Sequence, residues 1–197
     1  MHVTPVRGYM TAKKYTIDAI CRTKSLTAFQ KTLLCTNGSV TVLLEAHTNH
    51  PVKVRALRQK EIKSPKKINK LLNLENEEIV IERFAILEDA VTKEKLIYAV
   101  SYTRLKHLPP RLKREMMRTE KPIGKILLSN NIEHSREIIS ICERTPNPEE
   151  ISIFGVNKRA KIIARNYRIF FNNKPMIVIW ESLPKNFLRK NFIKKGA

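Results

Sequence analysis

Four apolar segments arranged as two pairs constrain the fold of this chain more than any other feature. "EIVIERFAIL" and "EKLIYAVSYTRL" flank the loop "EDAVTKEK", and "AKIIARNYRIFF" and "PMIVIWESLP" flank "NNK". β-Branched and aromatic residues dominate all four, so each pair predicts a β-hairpin, the second ended by Pro184.

The segments around these hairpins read differently. Residues 11–35 carry Ile17, Ile20, Cys21, Leu26, Phe29, Leu33 and Leu34 at helical intervals, which predicts one or two helices with a break near Ser25. "VKVRALRQKEI", after Pro51, alternates as a strand does. "SPKKINKLLNLENEE" reads as a polar, basic connector with a short apolar patch. "PPRLKREMMRTEKPIGKILLSNN" predicts a short basic helix after Pro109-Pro110 and a second helix from Pro122. Residues 132–144 fit strand or helix, "RTPNPEE" reads as a loop, and the last dozen residues are expected to fray. "LLCTNGSVTVLLEA", from Leu33 to Ala46, has two readings. Asn37-Gly38 ahead of Val40, Thr41 and Val42 fits a turn into a strand, whereas Ser39 followed by Val40, Leu43, Leu44 and His47 fits a capped helix.

Helices and strands thus come in groups, without the regular strand–helix alternation of a doubly wound parallel sheet. This predicts an α+β fold: a mainly antiparallel sheet with helices packed against it. At 197 residues, a single domain over 1–197 can bury a full core. No run approaches the ~18 apolar residues of a membrane helix. The opening "MHVTPVRGYMTAKKY" has no apolar signal core, which predicts a cytoplasmic protein. Cys21, Cys35 and Cys142 form no C-x-x-C pair and are expected to be reduced, partly buried thiols.

Lys and Arg number 38 against 18 Asp and Glu, a formal charge of +20 that suits nucleic acid, a membrane surface or a small anionic substrate. The basic residues are spread along the chain, with clusters at 63–70, 111–118 and 185–195, and lack zinc-finger spacing or an aromatic RNA-binding signature. No specific nucleic-acid partner is expected. His2, His47, His50, His107 and His134 are scattered, with His47 and His50 expected at the surface, so no metal site is expected. Neither a dinucleotide nor an ATP motif occurs.

Alternation isolates two charges on apolar strand faces. Arg83 lies in the row Ile79, Ile81, Ala85 and Leu87, and Glu181 in the row Ile177, Ile179 and Leu183. A buried charge needs a partner. The two could pair with each other, face solvent, be turned outward by a bulge, or point into a cavity. There Arg83 would clamp a carboxylate and Glu181 would address a hydroxyl or a proton.

"CTNG" with "GSVTVLLEA", "VIERFAILEDAVTKEKLIYAVSYTRL", "KPIGKILLS" and "KPMIVIWESLP" occur in the order found in chorismate pyruvate-lyases. Over roughly residues 30–184 the chain resembles the archaeal branch of that family. The resemblance implies cleavage of chorismate to 4-hydroxybenzoate and pyruvate without metal or redox cofactor, with the product feeding methanopterin. It also implies an internal ligand cavity under helical flaps, here near 33–48 and 109–128. By the same resemblance Arg83 binds the ring carboxylate and Glu181 sits at the phenol end. Backbone groups of Val40 in "GSVT" and Ile123 in "KPIG" complete the contacts. The proline after Glu181 comes one residue sooner than in the family's pattern. The helix reading of 33–46 follows, with free N–H groups at its start forming a wall of the pocket. The fold also resembles effector-binding domains of bacterial repressors, which implies a second reading, a non-catalytic domain that senses an aromatic carboxylate. No helix-turn-helix pattern precedes residue 30, which weighs against it.

Overall fold

The structure is a computed structural model that describes residues 13–106, 108–118 and 121–187. In chain order it begins with β1 (Lys13–Tyr15), α1 (Ile17–Arg22), α2 (Ala28–Cys35), α3 (Val40–Thr48) and β2 (Val52–Lys63). Next come α4 (Lys66–Leu72), β3 (Ile79–Asp89), β4 (Lys95–Arg104), α5 (Pro110–Met117) and α6 (Ile123–Ser129). β5 (Ser135–Arg144), α7 (Pro148–Phe154), β6 (Ile162–Phe171) and β7 (Lys174–Pro184) complete it. The strands form one antiparallel sheet in the order β1-β5-β6-β7-β4-β3-β2. Both expected hairpins are present, and β4 pairs with β7 to join them at the centre.

Residues 33–46 are helical where it matters. α2 ends at Cys35, and the Ser39 side chain accepts the Val42 N–H to start α3. Thr27 and Gln30 form a reciprocal capping box on α2, so the break near Ser25 separates two helices. Three segments depart from expectation. "SPKKINKLLNLENEE" holds α4, whose Ile68 and Leu72, four apart, bury one face of a helix of two turns. "RTPNPEE" contains the start of α7, with Asn147 and Glu150 as a capping box and Pro148 in the first turn. Residues 13–15 are a strand too short to show alternation, added at the edge of β5. The ambiguous 132–144 segment contains β5. Residues from 188 onward, expected to fray, lie outside the described residues, as do residues 1–12, His2 and His107.

The sheet is covered on both faces, so β3, β4, β6 and β7 are buried along nearly their whole length. α4 and α7 pack on one face against Phe84, Tyr98, Tyr102 and Trp180. The other face carries α5 and α6 through Leu112, Met116, Ile126 and Leu127, and α2 and α3 through Leu33, Leu34, Val40 and Leu44. The three cysteines are free thiols, with Cys142 buried and Cys21 exposed. His47 and His50, expected at the surface, are half-buried: His47 stacks on Phe29 with centroids 3.8 Å apart, and His50 Nδ1 lies 2.8 Å from Asp89. No described helix is long and apolar enough to cross a membrane.

Candidate functional site

Strand register explains why a cavity exists on the face that carries α3 and α6. One cross-strand row runs Arg83–Ser101–Ile179–Tyr167, and the next runs Ala85–Ala99–Glu181–Arg165. Ala85, Ala99 and Ser101 are too small to reach the helices above them, so the centre of the face is left unfilled. The result is a cavity on this face of the sheet, beneath the starts of α3 and α6. Val54, Leu87, Ile169 and Ile179 give it apolar walls. Ser39, Val40 and Thr41 at the start of α3, and Pro122, Ile123 and Gly124 at the start of α6, line it from the helix side. A Glu45–Lys125 ion pair at 2.6 Å holds these two helices together.

All four residues singled out in the sequence line this cavity: Val40, Arg83, Ile123 and Glu181. Arg83 is 4% exposed, and its Nη1 donates to the Lys121 carbonyl at 3.1 Å, which ties the strand to the lead-in of α6. Burial pushes its guanidinium down to about 10, still cationic at neutral pH. Glu181 lies across the cavity, two strands and one residue pair away, a Cα separation of roughly 12 Å from strand spacing alone. The two do not pair with each other. Instead Glu181 Oε2 accepts Arg165 Nε at 2.8 Å, and Oε1 accepts the Tyr167 hydroxyl at 2.9 Å.

Arg165 and Tyr167 were not singled out in the sequence, although the alternation Ile163, Arg165, Tyr167, Ile169 places both on the cavity face. Burial alone would lower the Arg165 pKa, but the Glu181 carboxylate beside it outweighs this and raises it. Burial and the same carboxylate hold the Tyr167 phenol well above its usual range, so it stays a donor. Arg165 Nη1 also donates to the carbonyls of Leu34 and Thr36, both at 3.1 Å, anchoring the turn before α3. Glu181 is thus an oriented carboxylate with one donor on each oxygen. A carboxylate has about four lone-pair sites, so it can still accept a bond from a ligand hydroxyl.

The cavity therefore combines apolar walls with the guanidinium groups of Arg83 and Arg136 and a pinned carboxylate. Such a lining can hold a small, partly apolar molecule that carries negative charge and a hydroxyl. Among the described residues, no group of three or more His, Cys, Asp or Glu side chains is placed to hold a metal ion.

Residues 34–190 match the family model described as chorismate pyruvate-lyase, Rv2949c-like. Among curated proteins, the chain is 29% identical over 157 residues to MJ0807 of Methanocaldococcus jannaschii, provisionally named a lyase, covering 77% of this chain and 76% of that one. It is 24% identical over 163 residues to a chorismate pyruvate-lyase of Mycobacterium tuberculosis, covering 81% and 79%. Among solved structures, the effector domain of PhnF from Mycobacterium smegmatis superposes with a TM-score of 0.59 at 15% identity, over 75% of this chain and 88% of that one. The longer PhnF chain gives 0.60 at 14% identity over 76% of this chain, and this chain spans only 64% of its length. At these identities the structural likeness is one of fold.

Proposed function

The chain belongs to the Rv2949c-like chorismate pyruvate-lyase family, and from that premise we propose that it cleaves chorismate to 4-hydroxybenzoate and pyruvate in the cavity described above. The observation that carries the reading is the placement of Arg83 and Glu181 across one apolar cavity. In this reading the Arg83 guanidinium binds the ring carboxylate and Glu181 accepts the 4-hydroxyl, with backbone groups of Val40 and Ile123 closing over the ring.

The reaction breaks the ether bond at C3 and removes the hydrogen at C4. The ring becomes aromatic and the enolpyruvyl methylene gains a proton to give pyruvate, so atoms and electrons balance without a redox partner. Aromatisation makes the step steeply downhill. What the protein supplies is a held conformer and exclusion of water. Arg165 and Tyr167 fix the orientation of Glu181, so it acts as a hydrogen-bond acceptor that sets the ring's position. The charge of +20 favours capture of a dianion from solution. The matched archaeal relative supports placement in the archaeal branch; in this reading the product is supplied to methanopterin biosynthesis in the cytoplasm.

The likeness to the PhnF effector domain keeps a second reading, a domain that binds an aromatic carboxylate without reaction. Incubation with chorismate, followed by 4-hydroxybenzoate absorbance, separates the two. Product formation with no added cofactor supports the lyase, and tight binding of 4-hydroxybenzoate without turnover supports the sensor.

A further inference from the structure

The cavity contains a second guanidinium, and the described residues leave its charge without an anion. Arg136 lines the cavity from β5, opposite Ile169, and is half-buried. Its Nη1 donates to the Gly38 carbonyl, a neutral acceptor. Its Nε is buried and has no hydrogen-bond partner among the described residues. Four other arginines are matched differently. Arg104, Arg144, Arg165 and Arg168 each meet a carboxylate within 2.8 Å, namely Glu78, Glu150, Glu181 and Glu137. Arg136 forms no ion pair among the described residues, so its partly sheltered charge is met by no carboxylate there.

Arg136 meets the start of α6 at the cavity wall. A Cβ at Gly124 would stand 3.5 Å from Arg136 Nη2 and 3.1 Å from the Ser39 hydroxyl oxygen. Only the Ser39 approach is tighter than ordinary contact, so glycine there leaves room beside that hydroxyl, with Arg136 next to it. Along the sheet, Arg83 on β3, Glu181 on β7, Tyr167 on β6 and Arg136 on β5 follow one another across the cavity face. The Arg136 guanidinium carbon lies 5.7 Å from the centroid of the Tyr167 ring.

We propose that Arg136, with the Ser39 hydroxyl beside it, is a second-anion subsite that takes the carboxylate of the enolpyruvyl arm while Arg83 holds the ring carboxylate. The inference rests on the chorismate reading. The arm leaves the ring at C3, next to the hydroxyl-bearing carbon at Glu181, and extends past Tyr167 toward β5. Substrate is then gripped at two cations, and product at one. Cleavage releases the anion held by Arg136, which makes the site selective for an aromatic or dihydroaromatic diacid over a monoacid.

Titration calorimetry on the whole chain tests this with two probes, 4-hydroxybenzoate and 3-(carboxymethoxy)-4-hydroxybenzoate, the second carrying an extra carboxylate on an ether arm. Arg136→Gln keeps a donor for Gly38 but removes the charge. It is expected to weaken the diacid about tenfold to a hundredfold and the monoacid less than about threefold. An equal loss for both probes makes Arg136 a tether of the Gly38 turn and overturns the subsite, as does undiminished diacid binding or a wild type that binds neither probe. Chorismate kinetics keep the two readings apart. A wild type that cleaves chorismate while Arg136→Gln keeps its KM overturns the subsite alone. A wild type that shows the predicted probe selectivity but never cleaves overturns the reaction alone.

Discussion

Glu181 and Arg165 stand opposite each other on β7 and β6, joined by a 2.8 Å bond from Nε to Oε2, and the same guanidinium reaches the carbonyls of Leu34 and Thr36. One arginine thus orients the cavity carboxylate and fastens the turn that leads into α3. Arg165→Ala would strand Glu181 as a buried charge with the Tyr167 hydroxyl for support. The expected loss is about 3–5 kcal/mol in urea unfolding. A loss below about 1 kcal/mol would show that the pair does not organise this region.

The empty centre of the sheet face is attributed to small side chains, and Ala99 sits between Ala85 and Glu181 in its row. Ala99→Leu adds three carbons into open space. Thermal unfolding is expected to stay level or rise, while calorimetry shows 4-hydroxybenzoate affinity falling more than tenfold. Unchanged affinity in a folded variant would move the ligand elsewhere.

Arg83→Ala removes a charge-assisted contact and is expected to weaken 4-hydroxybenzoate binding by roughly 1.5–3 kcal/mol. Wild-type affinity in this variant would remove Arg83 from the site. Glu181→Gln keeps the shape but loses the charge, so chorismate turnover should fall while circular dichroism stays native. Unchanged turnover would exclude Glu181 from the reaction.

The clasp between α3 and α6 predicts a pH effect. Burial alone would raise the Glu45 carboxyl pKa, but hydrogen bonds from Lys125 and the Val52 N–H, with the lysine's charge, hold it below its ordinary value of 4.5. A depressed carboxyl contributes stability above its unfolded pKa and loses it as pH falls through the folded one. The pair is partly exposed, so the contribution at pH 7 is below about 1 kcal/mol. Melting curves should show Glu45→Gln slightly less stable than wild type at pH 7, with the gap narrowing as pH falls below the ordinary carboxylate range. A gap that does not narrow on acidification would assign the effect to packing.

Arg83 and Glu181 were legible because each interrupts an apolar row, and alternation gives every strand residue a face. The same alternation exposed Arg165 and Tyr167, but "AKIIARNYRIFF" mixes polar and apolar residues on both faces, so neither stood out. Arg136 could not be assigned to a face while 132–144 fitted helix or strand, and a bulge between Ile138 and Ser140 breaks the alternation there. α4 was hidden because its apolar positions number few among lysines. The cavity was illegible for a different reason. It is made by what Ala85, Ala99 and Ser101 fail to fill, and only the register of two strands brings them together.

The central claim is that one ring lies between Arg83 and Glu181. A crystal structure with 4-hydroxybenzoate bound tests it most directly. The account predicts the carboxylate in hydrogen-bonding contact with the Arg83 guanidinium and the phenol oxygen on Glu181, inside the cavity lined by Val40 and Ile123. A ligand bound in the reverse orientation, or outside this cavity, would contradict it.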